Sequence, residues 1–125
     1  MLLIYGKYFL SMLHYSELTP TQKQEITNGC GAKGSWIKVP NFLFKASCNQ
    51  HDFYYWRGAT EKYREKADKE FYDMMKIDIA SRNYWFVKRM WYKTWAKTYY
   101  EAVRLGGAKA FYYAKEQRTE ADLIA

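Results

Sequence analysis

The segment ASCNQHDFYYWRGATEKYREKADKEF, from Ala46 to Phe71, carries side chains suited to proton transfer. Cys48 stands three residues before His51, Asp52 follows His51 directly, and Tyr55 comes four residues after it. Asp68 lies further on, inside ADKEF. An imidazole can take and return a proton near neutral pH. A carboxylate beside it fixes its tautomer and stabilises the charged ring.

Two helices must bring these groups together. Arg57-Gly58 breaks the helix that carries His51, and Thr60 is placed to cap the next, with Glu61 in its first turn. His51 lies six residues before the turn and Asp68 eight after Thr60. At about 1.5 Å per residue these arms are roughly 9 and 12 Å long, so in an antiparallel hairpin the two side chains meet. Tyr55 lies one helical turn after His51 on the same face, and its hydroxyl can reach the same carboxylate. Asp73 is the rival partner, but it sits five residues further from the turn than Asp68. A lone histidine in such a place is usually an ordinary core residue. Cys48, Asp52, Tyr55 and Asp68 around it favour a functional one.

Asp52 points about 100° away from His51 on the helix, so it cannot serve the same network. It can face the glycine-rich stretch NGCGAKGSWIKVPN, which has no hydrophobic period and reads as a loop. The chain has two cysteines, Cys30 in this loop and Cys48 in the helix. They allow one disulfide or two free thiols. If they pair, the loop is pinned one turn back from Asp52. Backbone carbonyls held against a carboxylate are the hard oxygen ligands that calcium takes.

The remaining segments read as further helices. Thr19-Pro20 opens a short one that Asn28-Gly29 should stop. The His51 helix should run from about Phe42 or Phe44 to Trp56. EKYREKADKEFYDMMKIDIA places Tyr63, Ala67, Phe71, Met74, Met75 and Ile79 at three-to-four spacing. A third long helix is expected from about Tyr84 to Leu105, ended by Gly106-Gly107, and AKAFYYAKEQ reads as a short fourth. No strands are expected beyond one short hairpin at most. The predicted class is mainly α in one domain spanning 1–125. Its catalytic core is 28–75, its basic aromatic helices 84–118, and 1–15 is an N-terminal extension.

The bulk composition narrows the function classes. The chain has 125 residues, a formal net charge of +7 and 20% aromatic residues, more than a core of this size needs. Between Asn83 and Lys115 seven basic residues stand against one acid, Glu101. That suits an anionic membrane surface or a nucleic acid. No nucleic-acid motif accompanies the charge, so nucleic-acid binding is the weaker reading. Trp91, Trp95 and Tyr99 form a face expected mostly in the core. The Lys93, Lys97, Arg104 stripe is expected in solvent, with a phosphate-rich membrane as its second use. No run of 18 apolar residues exists to span a bilayer. MLLIYGKYFLSML is apolar, but it lacks the basic start and cleavage site of a signal peptide, and Met12 could equally be the first residue.

These residues together resemble the phospholipase A2 superfamily, closest to its small bacterial and fungal enzymes. The family's helix motif of Cys, two residues, His-Asp and a later Tyr is matched by Cys48, His51, Asp52 and Tyr55. Its loop glycines and cysteine are matched by Gly29, Cys30, Gly31 and Gly34. ADKEF around Asp68 is similar to the Ala-Asp-x-x-Phe of bacterial, fungal and parvoviral members. The resemblance covers Asn28 to about Met75. It implies a phospholipase A2-like fold and calcium-dependent hydrolysis of the sn-2 ester of glycerophospholipids at a membrane surface. It implies His51 as general base, Asp68 as its orienting carboxylate, and Tyr55 holding Asp68. The Gly31 N–H would stabilise the oxyanion. Asp52, with the carbonyls of Gly29, Gly31 and Lys33, would hold calcium, and Cys30 and Cys48 would be bridged. Asn28 stands where bacterial members have an aspartate, which implies weaker calcium binding. Lys33 replaces a glycine of the animal pattern. The alternative is a catalytically weak membrane-binding or virion-associated module of the same fold. Secretion or association with a phage particle is favoured over the cytoplasm.

Overall fold

The computed structural model describes residues 18–27, 30 and 41–118. The expected N-terminal extension and the loop positions Asn28, Gly29, Gly31, Lys33 and Gly34 lie outside the described residues. Among the described residues four α-helices follow in order: α1 (Pro20–Ile26), α2 (Lys45–Arg57), α3 (Glu61–Ala80) and α4 (Phe86–Gly106). A 3-10 turn, Gly107–Ala110, closes α4. No β-strand forms among the described residues. The mainly α class stands, and the bounds of α2, α3 and α4 fall within a few residues of those expected.

Local chemistry explains the starts and stops. Thr19 caps α1 reciprocally: its hydroxyl accepts from the Gln22 N–H, and the Gln22 side chain accepts from the Thr19 N–H. Pro20 supplies a pre-set φ at the first helical position. Thr60 occupies the cap position of α3, but its side chain makes no capping bond, contrary to expectation. Glu61 beside it is engaged by arginines and a tyrosine, described below. Between α2 and α3, Gly58 has φ +68°, and a Cβ there would collide with the Tyr112 carbonyl. Only glycine fits that turn.

α3 lies between α2 and α4. The main core gathers Phe44, Cys48, Phe71, Met75, Ile79, Ala96 and Tyr99 from all three helices. Phe44, Phe53, Met75 and Ile79 are among the largest fully buried side chains. Each such burial contributes about 1.5–3 kcal/mol of gross hydrophobic stabilisation. Leu18, just before α1, and Ile26 at its end pack against Phe53 and Trp56 on the other side of α2. Ser47, fully buried, donates to Asp78 at 2.6 Å and ties the start of α2 to the end of α3.

Cys30 and Cys48 form a disulfide across 18 residues of sequence. The Cys30 N–H also donates to the Asn41 side chain at 2.9 Å. Closing a loop of this length removes entropy from the unfolded chain worth about 3 kcal/mol. Replacing both cysteines by serine should therefore lower the urea midpoint by that equivalent, and reductant should do the same to the wild type.

The C-terminal segment departs from expectation. AKAFYYAKEQ forms no continuous helix: after the 3-10 turn the chain is extended, and an isolated parallel bridge joins Tyr113 to Ala59. The Tyr112 N–H bonds the Tyr55 carbonyl, the Ala59 N–H bonds the Tyr112 carbonyl, and the Ala114 N–H bonds the Ala59 carbonyl. Arg118 reaches the Trp56 carbonyl at 2.7 Å and lies over the Tyr112 ring. The tail is thus a strap over the α2–α3 turn. Backbone pairing to that turn outweighs the local helical preference.

Candidate active site

His51 and Tyr55 project from successive turns of α2 toward α3, as their spacing requires. Asp68 projects back from α3 and is completely buried. His51 Nε2 lies 2.7 Å from Asp68 Oδ1, and the Tyr55 hydroxyl donates to the same oxygen at 2.6 Å. The expected trio therefore meets. Asp73 does not join it: it pairs with Lys69 and Lys76 on the surface of α3.

The geometry assigns the imidazole proton. An ionised carboxylate can only accept, so Nε2 carries the hydrogen and Nδ1 keeps its lone pair. The ring is 6% exposed, stacked on Phe71 with centroids 4.5 Å apart and packed against Tyr55 at 4.2 Å. That packing fixes its plane. His51 thus has one nitrogen committed to Asp68 and one available as a base.

The second oxygen of Asp68 is held by a residue that the sequence placed elsewhere. Arg104, at the end of α4, donates to Asp68 Oδ2 at 2.7 Å, and Arg64 lies 3.5 Å from the same atom. Arg104 is thus not part of a solvated stripe with Lys93 and Lys97, which do lie exposed. Arg64 also donates to the Val103 carbonyl, and Glu61 accepts from Arg64, Arg104 and Tyr113. Two carboxylates and two guanidiniums therefore balance within one network. A signal for Arg64 existed: Glu61, Arg64 and Asp68 sit at three-to-four spacing, one alternating-charge face of α3. Its Arg64 and Asp68 members are buried, while Glu61 stays exposed at the start of the helix.

These contacts set the acid limit of stability. Burial alone would push the Asp68 carboxyl up, but hydrogen bonds from His51, Tyr55 and Arg104 outweigh it and hold it below the ordinary range. Glu61 is drawn down to about 2, first by Arg64 and then by Tyr113. Both folded values lie below the unfolded ones, so their stabilisation is complete above about pH 5 and is lost as pH falls through the folded values. The urea midpoint should accordingly drop between about pH 5 and 2, and Glu61→Gln should flatten part of that drop. Tyr55 moves the other way: burial, then its bond to Asp68, raises its hydroxyl far above the ordinary tyrosine range. It remains a proton donor to Asp68 across the working pH range.

A family model for prokaryotic phospholipase A2 matches residues 8–107, most of the chain. The chain belongs to the prokaryotic phospholipase A2 family. No curated protein and no solved structure matches it. Phospholipase A2 enzymes are carboxylic ester hydrolases with phospholipid substrates, and their family typically uses calcium. The matched span takes in α1 to α4, and so His51, Tyr55, Asp68 and Arg104 together.

The described part of this phospholipase fits calcium at one carboxylate. Asp52 is half-buried on α2, one helical turn after Cys48. The disulfide fixes Cys30 beside that turn. A carboxylate is a hard-oxygen donor of the kind calcium takes.

Gly107 is a further residue that the sequence marked only as a helix stop. Its φ is ordinary, but a Cβ there would lie 2.5 Å from the Tyr55 hydroxyl and 3.1 Å from the ring. Tyr55 is itself packed edge-on against Phe111 at 5.1 Å, so it cannot step aside. Gly107→Ala should cost about 1–3 kcal/mol by overpacking. It should also weaken the Tyr55–Asp68 bond and slow turnover. In a Tyr55→Phe background, where the clashing oxygen is gone, the same substitution should cost less. Denaturation of the four proteins of that cycle measures the difference.

Proposed function

We propose that the protein is a calcium-dependent phospholipase A2 that cleaves the sn-2 ester of glycerophospholipids, with His51 as general base. The observation that carries this reading is the buried pairing of His51 Nε2 with Asp68, which leaves Nδ1 free to take a proton. His51 Nδ1 removes a proton from a water molecule as its oxygen attacks the sn-2 carbonyl carbon. The tetrahedral intermediate collapses by breaking the bond to the glycerol oxygen. That oxygen receives the proton back from His51, giving a fatty acid and a lysophospholipid. No covalent enzyme intermediate is needed. Asp68 holds the ring and stabilises its positive charge during the step, a contribution of about 10²–10⁴-fold for general-base catalysis.

Tyr55 and Arg104 keep Asp68 ionised and immobile. The Gly31 N–H is the backbone donor assigned to the developing oxyanion, a contact worth about 10²–10³-fold. Held by Asp52, the Asn28 amide and the carbonyls of Gly29, Gly31 and Lys33, calcium would supply positive charge against the ester oxygen and the lipid phosphate. A bridged Cys30–Cys48 pair suits an oxidising compartment, in keeping with secretion. One observation favours a second reading: Asn28 replaces a charged ligand, as in a catalytically weak membrane-binding or virion-associated module.

Phosphatidylcholine labelled in the sn-1 or the sn-2 chain tests the proposal. Label released from sn-2 alone supports it. Release from both positions points to a less selective lipase, and release from neither favours the second reading.

A further inference from the structure

α4 turns Ala96 and Tyr99 into the core, with Tyr92 half-buried against Phe42, Phe44 and Tyr84. Its opposite face in the first two turns should be polar on a protein that met only water. Instead Phe86 is 67% exposed, Val87 54%, Met90 46% and Trp91 49%, with the cap residue Trp85 at 67%. Phe86 and Met90 are one turn apart on that outward side. Five large apolar side chains in seven consecutive residues form a contiguous patch, the kind that marks a binding surface rather than scattered exposure.

The charges around the patch say what covers it. From Ser81 to Tyr100 the sequence has no Asp or Glu, while Arg82, Lys88, Arg89, Lys93 and Lys97 are all exposed. None of the five takes part in an ion pair among the described residues. Lys88 rests over the Tyr84 ring, and Arg89 bonds the Tyr84 carbonyl, so both are held beside the patch without losing their charge. A second copy presenting the same five cations would be repelled. Aliphatic Val87 and Met90 have nothing to offer a base edge, but they suit acyl chains. Aromatic rings at the level of lipid head groups, flanked by lysine and arginine, are what an anionic interface accommodates.

We propose that the start of α4, from Trp85 to Trp91 with its flanking cations, is the face by which this protein docks on an anionic phospholipid bilayer. The proposal rests on the phospholipase reading for the choice of a lipid partner, but binding is measurable apart from hydrolysis. Its place in the fold is apt. Phe42 packs on Trp91 and Trp95, each at 5.2 Å, and the neighbouring Asn41 holds the Cys30 N–H. The face therefore adjoins the Cys30 end of α2 and lies away from the Gly58 turn and its strap. His51 is about 9 Å along α2 from Lys45, the helix's first residue. Docking there would bring the head groups to the side of the hairpin where Cys30 is bridged to α2.

The test is co-sedimentation with phosphatidylcholine vesicles, with and without phosphatidylglycerol, in chelator so that no lipid is consumed. The proteins are the wild type, Trp85→Ala/Phe86→Ala and Lys88→Gln/Arg89→Gln, all changed only at exposed positions. The wild type should bind the anionic vesicles and release them in high salt. Each double variant should bind about tenfold more weakly or worse. Turnover of a short-chain phosphatidylcholine dissolved as monomers should be unchanged in both variants, which separates a surface defect from a damaged fold. Variants that sediment with vesicles as the wild type does would overturn the proposal. So would a wild type that ignores anionic vesicles, or one that forms a dimer dissociated by Trp85→Ala/Phe86→Ala. A wild type that binds vesicles but hydrolyses no monomer would support the docking face and count against the hydrolase alone.

Discussion

Asp68→Asn should lower both turnover and stability. The carboxylate is fully buried and accepts from His51, Tyr55 and Arg104. The substitution keeps the volume and removes the charge, leaving Arg64 and Arg104 facing a neutral group beside Glu61. Removing one partner of a buried pair costs about 3–5 kcal/mol. The low end applies here, because Arg104 is partly exposed and the introduced amide still accepts one bond. The effect on turnover is separate from this. An amide can present its NH₂ to His51 Nε2, which then becomes the acceptor. The ring proton moves to Nδ1, and the base is lost even in folded molecules. Turnover should fall by about 10²–10⁴-fold. Urea denaturation followed by circular dichroism reads the first effect. Fatty-acid release per folded molecule, at a temperature well below the melt, reads the second.

His51→Asn should abolish turnover to a similar degree with a much smaller change in stability. The ring contributes a hydrogen bond to Asp68 and stacking on Phe71. Asp68 retains Tyr55 and Arg104, so no buried charge is orphaned. The lost bond is worth about 1 kcal/mol. Loss of packing around the smaller side chain adds to it. General-base assistance of about 10²–10⁴-fold should disappear. The two variants together separate catalysis from architecture. If His51→Asn proved as destabilising as Asp68→Asn, the histidine would be chiefly a structural member of the network.

The central trio was legible in the sequence because it depends on local arithmetic. One helical turn separates His51 from Tyr55, and a hairpin of nearly equal arms brings Asp68 opposite them. Both facts follow from helix rise and from the Arg57-Gly58 break. The long helices were legible for the same reason. Arg104 was not, because a helical stripe treats α4 as an isolated rod. Its column contains Lys97, but at the end of α4 the helix passes over the start of α3, and a long guanidinium reaches back to Asp68. Trp91 shows the reverse: its spacing with Trp95 and Tyr99 suggested core, yet the buried line of α4 runs through Ala96 and Tyr99 and leaves Trp91 half outside. The strap was missed because AKAFYYAKEQ has good helical composition. What decides its shape is the Phe111 ring against Tyr55 and backbone pairing with Ala59, neither of which a local pattern contains. The close approach of Gly107 to Tyr55 was illegible for the same reason. The assigned calcium ligands Asn28, Gly29, Gly31 and Lys33 rest on the family resemblance and lie outside the described residues.

The proposed hydrolysis depends on His51 acting as a calcium-assisted base. The most direct measurement is release of labelled sn-2 fatty acid from mixed phospholipid vesicles under three conditions: wild type in calcium, wild type in chelator, and His51→Asn in calcium. Release is expected in the first alone, as calcium-assisted base catalysis by His51 requires. Release by His51→Asn at the wild-type rate, or undiminished release in chelator, would contradict it.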